Sequence, residues 1–305
     1  MNLGDFAVDG LVSAAQARAL GVEWNTLRRC VASGTLHRVI PGWYAVSPPA
    51  SPAARHVLEA RAWVRHFQGH ALASHHSAVL LHGLPTLGVD LAQVHLTRAA
   101  DRHTRARAGL SVHPALVVPT VTDRECGRAR SVAVHVALSV VQTGMVNGSL
   151  NTLVSGDAAL RTGATTMADI EAAVHVLRRM PGLAAVRLVV GQLDGRHESV
   201  GETRLAHVFR GLGIAATPQV WVRGLRDWRV DFLVDGTRVV VEFDGAVKYA
   251  GPGGRDALLA EKRREDALRE LGFEVVRVTW ADLAQPQVIR ARVRAAVARA
   301  ARHTA

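Results

Sequence analysis

The feature that most constrains the fold of this 305-residue chain is a pair of β-branched segments with acids near their ends. The first segment runs from Arg229 to Val234, the second from Val239 to Gly245, and an Asp-Gly turn separates them. This pattern predicts a β-hairpin. Asp231, Glu242 and Asp244 stand where a strand of the core would carry valine or isoleucine. Because an unpaired carboxylate is costly to desolvate, acids that converge on one hairpin indicate a bound cation.

A salt-bridge network is the alternative explanation for these acids. Asp231 and Glu242 would then be partnered by basic residues of neighbouring elements, and Asp244 would serve the Asp-Gly turn. The basic residues concerned are Arg229, Arg264 and Arg277. Both explanations are open at the level of the sequence.

The segments around the hairpin predict a helix, three strands, a helix, a strand and a helix. Such an order is typical of an α/β architecture, in which helices cover both faces of a sheet. The predicted elements are a helix from Ser199 to about Arg210, a strand at Gln219–Val222, the hairpin, a helix over about Asp256–Leu271, a strand at Phe273–Trp280 and a helix from Pro286.

Several separated motifs between Arg196 and Pro286 carry a family resemblance. They are Glu198–Glu202, Val230–Phe232, Val241–Gly245, Glu261–Gly272 and Val276–Leu283. In this order they resemble the restriction-endonuclease-like PD-(D/E)XK nuclease core, and in particular its Vsr-like branch. The resemblance implies an endonuclease or nickase that hydrolyses DNA phosphodiester bonds.

The chemistry of such a reaction assigns roles to the acids. Phosphodiester hydrolysis at neutral pH needs a metal that polarises the phosphate, and Mg²⁺ (or Mn²⁺) prefers oxygen ligands. Asp231 and Glu242, on adjacent strands, are the expected metal ligands, with the backbone carbonyl of Phe243 as a third oxygen. Glu202, on the preceding helix, is expected to hold a water of the metal.

The lysine of the general motif is missing from its usual position. Asp244 stands there, two residues after Glu242, and Lys248 stands where the Vsr-like branch commonly has histidine. Of the 37 basic residues only Lys248 and Lys262 are lysines, and both follow the hairpin closely. An acid-x-Asp-Gly pattern is usual in the Vsr-like branch, so the resemblance implies that Asp244 is a catalytic residue. Since lysine can lose its proton and arginine effectively cannot, we expect Lys248 to be catalytic as well. The candidates for phosphate contact, or for support of the metal ligands, are Lys262, Arg264 and Arg277.

The N-terminal pattern predicts a winged helix-turn-helix or, alternatively, a small helical docking domain. Ser13 is suited to cap a first helix, a second helix runs from about Glu23 to Ser33, and Leu36–Val46 predicts the wing. The segment Gly34–Tyr44 resembles the signature of AbiEi-family antitoxin domains. That resemblance implies DNA as a partner and, in a toxin-antitoxin system, a nucleotidyltransferase toxin. The residues expected to contact DNA are Asn25, Thr26, Arg28, Arg29 and Arg38.

The middle of the chain predicts an α+β scaffold that resembles the AbiEi-like middle region less strongly. Its sequence Ala73–Pro85 predicts a helix with three histidines, His75, His76 and His82. We expect these to be structural, because no nearby carboxylate or cysteine completes a metal-ligand set. Arg98–Arg107 predicts a loop that is solvated or lies on phosphates, and Asp157–Gly163 is expected to begin a helix.

The composition of the chain bears on its class, its location and its binding partners. A hydrophobic fraction of 49% argues for folded domains. The chain has no apolar run long enough to cross a membrane and no signal-peptide pattern. Cys30 and Cys126 are expected to be reduced thiols, so a cytoplasmic protein with no membrane partner is predicted. The net charge of +11 favours DNA as a partner, although an arginine-rich base composition explains the same charge.

The sequence thus predicts three regions. Residues 1–50 form a winged helix-turn-helix, 51–194 a scaffold and 195–305 a Vsr-like nuclease domain. The leading functional hypothesis is a Mg²⁺-dependent DNA endonuclease targeted by the winged helix. Alternatively, the protein is a non-enzymatic antitoxin or transcriptional repressor with a degenerate nuclease fold, or part of a mobile-element or defence system that uses both activities.

Overall fold

The computed structural model describes residues 3–100, 103–116, 132–224, 226–245 and 254–303. The chain divides into two compact units. The first unit comprises residues 1–155 and 164–191, and the second comprises residues 156–163 and 192–305. Cys126 and Lys248 lie outside the described residues.

The first unit begins with a three-stranded antiparallel sheet and two helices. The elements are β1 (Leu11–Ser13), α1 (Ala14–Ala19), α2 (Trp24–Ala32), β2 (His37–Ile40) and β3 (Trp43–Ala45), and the strand order is β1-β3-β2. Ser13 caps α1 as the sequence predicts, since its hydroxyl accepts the Gln16 N–H while the Gln16 side chain accepts the Ser13 N–H. Val12, Leu27 and Tyr44 are buried between the helices and the sheet.

In the rest of the first unit, the described residues form a four-stranded sheet and six helices. Residues 156–161 of α6 belong to the second unit. The strands are β4 (Ala71–Ala73), β5 (Val94–Arg98), β6 (Arg105–Arg107) and β7 (Leu110–His113), in the order β4-β5-β7-β6. The helices are α3 (Pro52–His66), α4 (His75–Leu81), α5 (Val136–Asn147), α6 (Leu150–Arg161), α7 (Met167–Val176) and α8 (Leu183–Val190).

Three predictions for this region were wrong in detail. The helix expected over Ala73–Pro85 is the shorter α4, because Ala71–Ala73 pairs with β5 as a strand. The loop expected at Arg98–Arg107 contains β6, whose backbone pairs with β7. Asp157 does not begin a helix but lies within α6.

The second unit has the element order predicted from its sequence. The elements are α9 (Val200–Leu212), β8 (Ala216–Val222), β9 (Trp228–Val234), β10 (Val239–Asp244), α10 (Gly254–Glu270), β11 (Glu274–Thr279) and α11 (Pro286–His303). The strand order is β11-β10-β9-β8, in which β10 and β11 are parallel and the other pairs antiparallel. The prediction of an α/β unit is therefore confirmed.

Helices cover both faces of this sheet. On one face Phe232 and Val241 pack with Leu205 of α9 and Ile289 of α11. On the other face Val240 packs with the fully buried Leu268 of α10. Burial of each such side chain contributes about 1.5–3 kcal/mol. Because apolar residues fill both faces, polar residues in the middle of the sheet are notable.

In the described part of the chain, no helix combines the length and the apolar character that a membrane span requires.

Candidate functional site

The pairing of β9 with β10 ends next to the acids. Val240 pairs with Leu233 and Val241 with Phe232, and the same register places Glu242 opposite Asp231. Instead of a further backbone pair, Oδ2 of Asp231 accepts the Phe243 N–H at 2.8 Å. The Asp231 carboxylate is thereby held against β10, beside the position that carries Glu242.

Glu242 is buried and has a charged partner. It is 7% exposed, and its Oε1 forms an ion pair with Arg264 of α10. Arg264 also donates from Nη2 to the Arg229 carbonyl at 2.9 Å. Arg277 lies opposite Glu242 on β11, yet its guanidinium pairs with Glu265 at 2.7 Å. Since a buried carboxylate needs a compensating charge, Arg264 stabilises the ionised form of Glu242.

Glu202 fastens the start of α9 to β8. Its Oε2 accepts the Glu198 N–H at 2.9 Å and the Gln219 side-chain amide at 2.8 Å, while Oε1 accepts the Ser199 hydroxyl at 2.8 Å. In return the Ser199 hydroxyl accepts the Glu202 N–H at 3.1 Å and caps the helix. Three donors thus hold a buried carboxylate in place, and such hydrogen bonds offset its desolvation.

Gln219 is a residue that sequence reasoning missed. Its φ of +56° lies in the left-handed region, which costs a non-glycine residue on the order of 1 kcal/mol or more. The pairs Pro218–Phe232 and Val220–Val230 flank it, so it stands opposite Asp231. This backbone conformation accompanies the hydrogen bond of its amide to Glu202. A glutamine at this position does not by itself predict a left-handed backbone conformation.

A short row of polar residues therefore crosses the sheet. Gln219, Asp231, Glu242 and Arg277 occupy equivalent register positions on β8, β9, β10 and β11. Two of the four are carboxylates on adjacent strands, as the sequence predicts for the metal ligands. Among the residues that the structure describes, however, the acids do not bring three ligand atoms together; the one such group consists of three histidines in the first unit.

The remaining predicted residues lie around this row. Asp244 is half-buried at the end of β10, opposite Thr279 of β11. Lys262 is exposed on α10. Phe243, next to Glu242, makes an edge-to-face contact with Trp280 at 5.0 Å, and Trp280 is 40% exposed. The surface near the acids thus offers an aromatic ring.

A buried aspartate–histidine pair anchors the entry to α9. Nδ1 of His197 lies 2.6 Å from Oδ2 of Asp157, which also accepts the Thr203 hydroxyl at 2.8 Å. The Asp194 N–H donates to the other carboxylate oxygen at 2.8 Å. The sequence gives Asp157 and His197 no visible link, because 40 residues separate them.

The predicted DNA contacts of the first unit lie on its surface. Asn25, Arg28 and Arg29 of α2 are exposed, as is Arg38 of β2. Thr26 is half-buried and its hydroxyl accepts from Arg29 at 3.0 Å. Four of the five side chains are therefore accessible to a ligand.

The three histidines predicted on one helix do not form one group, and His82 is the residue that follows α4. His82 uses Nε2 to contact the Val134 carbonyl at 2.8 Å. His75 and His76 instead meet histidines from other elements, among them His95 of β5 and His113 of β7. Because His95 and His113 lie far from α4 along the chain, their contacts with His75 and His76 could not be predicted from sequence neighbours.

Comparisons with known proteins place the chain in a family. It is 30% identical over 267 residues to the Uncharacterized protein Rv2248 and to the Uncharacterized protein MT2308, from two strains of Mycobacterium tuberculosis, over 86% of this chain and 93% of each relative. The chain belongs to the same family as these mycobacterial proteins. No protein-family model matches it. Among solved structures, the catalytic domain of Homing Endonuclease I-Bth0305I matches at 18% identity and a TM-score of 0.26, over 31% of this chain and 89% of that domain.

Proposed function

We propose that the second unit is a metal-dependent DNA endonuclease or nickase domain of the Vsr-like PD-(D/E)XK type. The observation that carries the proposal is the placement of Asp231 and Glu242 at opposed positions of adjacent strands, where the β9–β10 pairing ends. The arrangement of one helix, three antiparallel strands, a helix and a parallel fourth strand supports it. An inert sheet would gain more from apolar residues at these positions.

The donor set fits a hard divalent cation. Two carboxylates and a backbone carbonyl, from Asp231, Glu242 and Phe243, are the ligand types that Mg²⁺ and Mn²⁺ prefer. Such ions also retain several waters, so two protein carboxylates are sufficient and a third acid is not required. When bound, the cation polarises a phosphodiester and makes a water a stronger nucleophile.

The protein's own residues then have distinct roles. The Phe243 N–H orients the Asp231 carboxylate, and Arg264 forms an ion pair with the buried Glu242. The arginine also offers a phosphate a positive charge close to the acids. Glu202, through Gln219, fixes the strand that lies opposite Asp231.

Two further residues complete the proposed chemistry. Asp244 follows Glu242 by two positions and could accept the proton of the attacking water. Lys248, beyond the described residues, would contribute a cation for the charge that develops on the phosphate. A lysine four positions later would replace the one that the general motif carries at Asp244.

The N-terminal elements support a DNA-binding winged helix in the same chain. The succession of β1, α1, α2 and the β2–β3 hairpin, with strand order β1-β3-β2, suits a helix-turn-helix followed by a wing. Asn25, Arg28 and Arg29 would face DNA from the second helix, and Arg38 from the wing. Binding of this kind would direct the nuclease to its target.

One observation favours a second function. The Glu242–Arg264 ion pair and the three hydrogen bonds of Glu202 are also compatible with a site that has become structural. In that case the protein would be a DNA-binding regulator of AbiEi type, with a nucleotidyltransferase toxin as its partner. It would bind promoter DNA without a divalent metal and would cleave nothing.

A plasmid-nicking assay separates the two functions. Wild-type protein is expected to convert supercoiled DNA to the open-circular or linear form with Mg²⁺ or Mn²⁺ and not with EDTA. Glu242→Gln should reduce conversion to the EDTA level. Glu270→Gln, which changes an exposed acid of α10, should not. Cleavage that is independent of metal, or retained in Glu242→Gln, would contradict the nuclease proposal.

A further inference from the structure

Five histidines from four elements meet inside the first unit. They are His56 of α3, His75 and His76 of α4, His95 of β5 and His113 of β7. Ring centroids of neighbouring members lie between 4.0 and 5.2 Å apart. His113 is half-buried and the other four are buried. Since histidine is rarely concentrated in a core, this cluster calls for a physical explanation.

Two of the five have protein partners at both ring nitrogens. His56 lies 2.8 Å from a backbone carbonyl through Nδ1 and 2.8 Å from the Ser77 hydroxyl through Nε2. His76 lies 3.2 Å from the Asn147 side chain and 3.1 Å from a backbone carbonyl. Both ring nitrogens of each of these two histidines are thus engaged by protein groups, so neither offers a nitrogen to a ligand.

The other three converge on one point. One ring nitrogen each from His75, His95 and His113 lies within 4.8 Å of the other two. Nδ1 of His95 is 2.9 Å from Nε2 of His113, and Nδ1 of His75 is 3.0 Å from the Ser74 hydroxyl. With Nδ1 of His75 engaged by Ser74, its Nε2 is the atom available for a shared ligand.

The backbone holds His75 in an unusual conformation. Its φ of +53° is left-handed, and its N–H donates to the Gln142 side chain at 3.3 Å. Residues in this region carry a cost on the order of 1–3 kcal/mol, and they concentrate where a side chain must be aimed at a site. The strain is therefore explained if the ring of His75 has a task beyond filling space.

We propose that His75, His95 and His113 bind one Zn²⁺ ion. Imidazole nitrogen is a preferred zinc ligand, and three histidines are a known zinc set that leaves the fourth position to water or another exchangeable ligand. Zinc–nitrogen bonds of about 2.0–2.1 Å place the nitrogens of a tetrahedral site about 3.3 Å apart. The three atoms lie within 4.8 Å of one another, so rotation of the rings would have to bring them to this spacing.

The protonation of the rings suits a cation. Burial lowers the pKa of all three histidines, that of His95 to about 3. The rings are therefore uncharged near pH 7, and a bound metal would only require the proton between Nδ1 of His95 and Nε2 of His113 to move to the other nitrogen of its ring. Ser74, which contacts Nδ1 of His75, would fix the tautomer that presents Nε2, as partners of metal-bound histidines commonly do.

The test uses the full-length protein stripped of metal with a chelator. Titration with Zn²⁺ against a chromophoric chelator should give one tight site per chain, and Co²⁺ in its place should give the visible absorption of a tetrahedral centre. His113→Gln is the first variant, because this half-buried residue is the least costly to replace. It should weaken binding about 100-fold or more, since loss of an outer partner of a ligand already costs about 10–100-fold.

Matched controls separate this site from weak surface binding. His56→Gln removes a histidine of the same cluster that is not a proposed ligand, and His70→Gln removes an exposed one; both should keep the tight site. The absence of a tight site in wild type, or its retention in His113→Gln, would overturn the proposal. If His113→Gln fails to fold, X-ray absorption of the zinc-loaded wild type decides: three imidazoles in the first shell support the site, and fewer contradict it.

Discussion

Replacement of Gly201 by alanine tests the contact between α9 and the strand that carries Glu242. A Cβ on Gly201 would lie 2.0 and 2.1 Å from two ring atoms of Phe243. Carbon atoms pack at about 3.5–4.0 Å, so the ring would have to retreat by more than 1 Å. Overpacking of this kind costs about 1–3 kcal/mol, while alanine regains up to about 1 kcal/mol of helix propensity. We therefore expect a net loss of about 1–2 kcal/mol in the free energy of unfolding.

Gly211→Ala is the matched control. Gly211 lies in the same helix, and a Cβ there would meet nothing within 4 Å. The same change in propensity should therefore stabilise the protein, by about 0.5–1 kcal/mol. Urea unfolding followed by tryptophan fluorescence suits both variants, because Trp280 contacts the ring of Phe243.

A double-mutant cycle identifies the cause. Phe243→Leu makes room for the new methyl group, so Gly201→Ala should cost less in that background, by about 1 kcal/mol. The packing described for this site would be refuted if Gly201→Ala stabilised the protein as much as Gly211→Ala. A purely additive cycle would likewise show that Phe243 does not lie against Gly201.

Three further predictions concern charge and pH. Backbone and side-chain hydrogen bonds from Thr279 lower the pKa of Asp282, so Asp282→Asn should reduce the free energy of unfolding by about 1–2 kcal/mol at pH 7. In urea unfolding, this difference between the variant and the wild type should disappear as the pH falls below about 4 and then through the lowered pKa of the folded state. Burial lowers the pKa of His56, so on acidification the unfolded state is protonated before the folded state, and the free energy of unfolding should fall as the pH drops below about 6.5. If the wild type loses no more stability between pH 7 and 5.5 than His56→Gln does, this prediction is wrong. Joint replacement of Arg28 and Arg29 by alanine should weaken DNA binding and reduce the slope of log Kd against log salt concentration by about 1–2. Arg187→Ala, which removes an exposed arginine of α8, should change neither quantity, and equal effects of the two changes would exclude α2 as the DNA-binding helix.

The strong local patterns of the sequence predicted most elements of the second unit. β-Branched runs around an Asp-Gly turn specify the hairpin, and Ser199 specifies the start of α9. Because hairpin register follows from the turn, the neighbourhood of Asp231 and Glu242 could be predicted as well. The ion pair of Glu242 with Arg264 was foreseen as one of two alternatives, since a buried acid has a limited choice of partners.

Features that depend on distant residues could not be predicted. The left-handed backbone of Gln219 accompanies a hydrogen bond to a glutamate of another element, and the Asp157–His197 pair joins α6 to the loop before α9. β4 is three residues long and is defined by backbone pairing with β5 and by a bridge from Ala73 to Ala133. His95 and His113 meet because two strands are parallel neighbours. Residue type alone does not encode such encounters.

The measurement that tests the nuclease account most directly compares Asp231→Asn with Asp227→Asn. Asp227 is an exposed acid just before the same strand, so its change controls for loss of one negative charge. Time courses of plasmid nicking in Mg²⁺ should match for wild type and Asp227→Asn, and Asp231→Asn should show no cleavage while it binds the same DNA with unchanged affinity. Wild-type cleavage rates in Asp231→Asn would contradict the account.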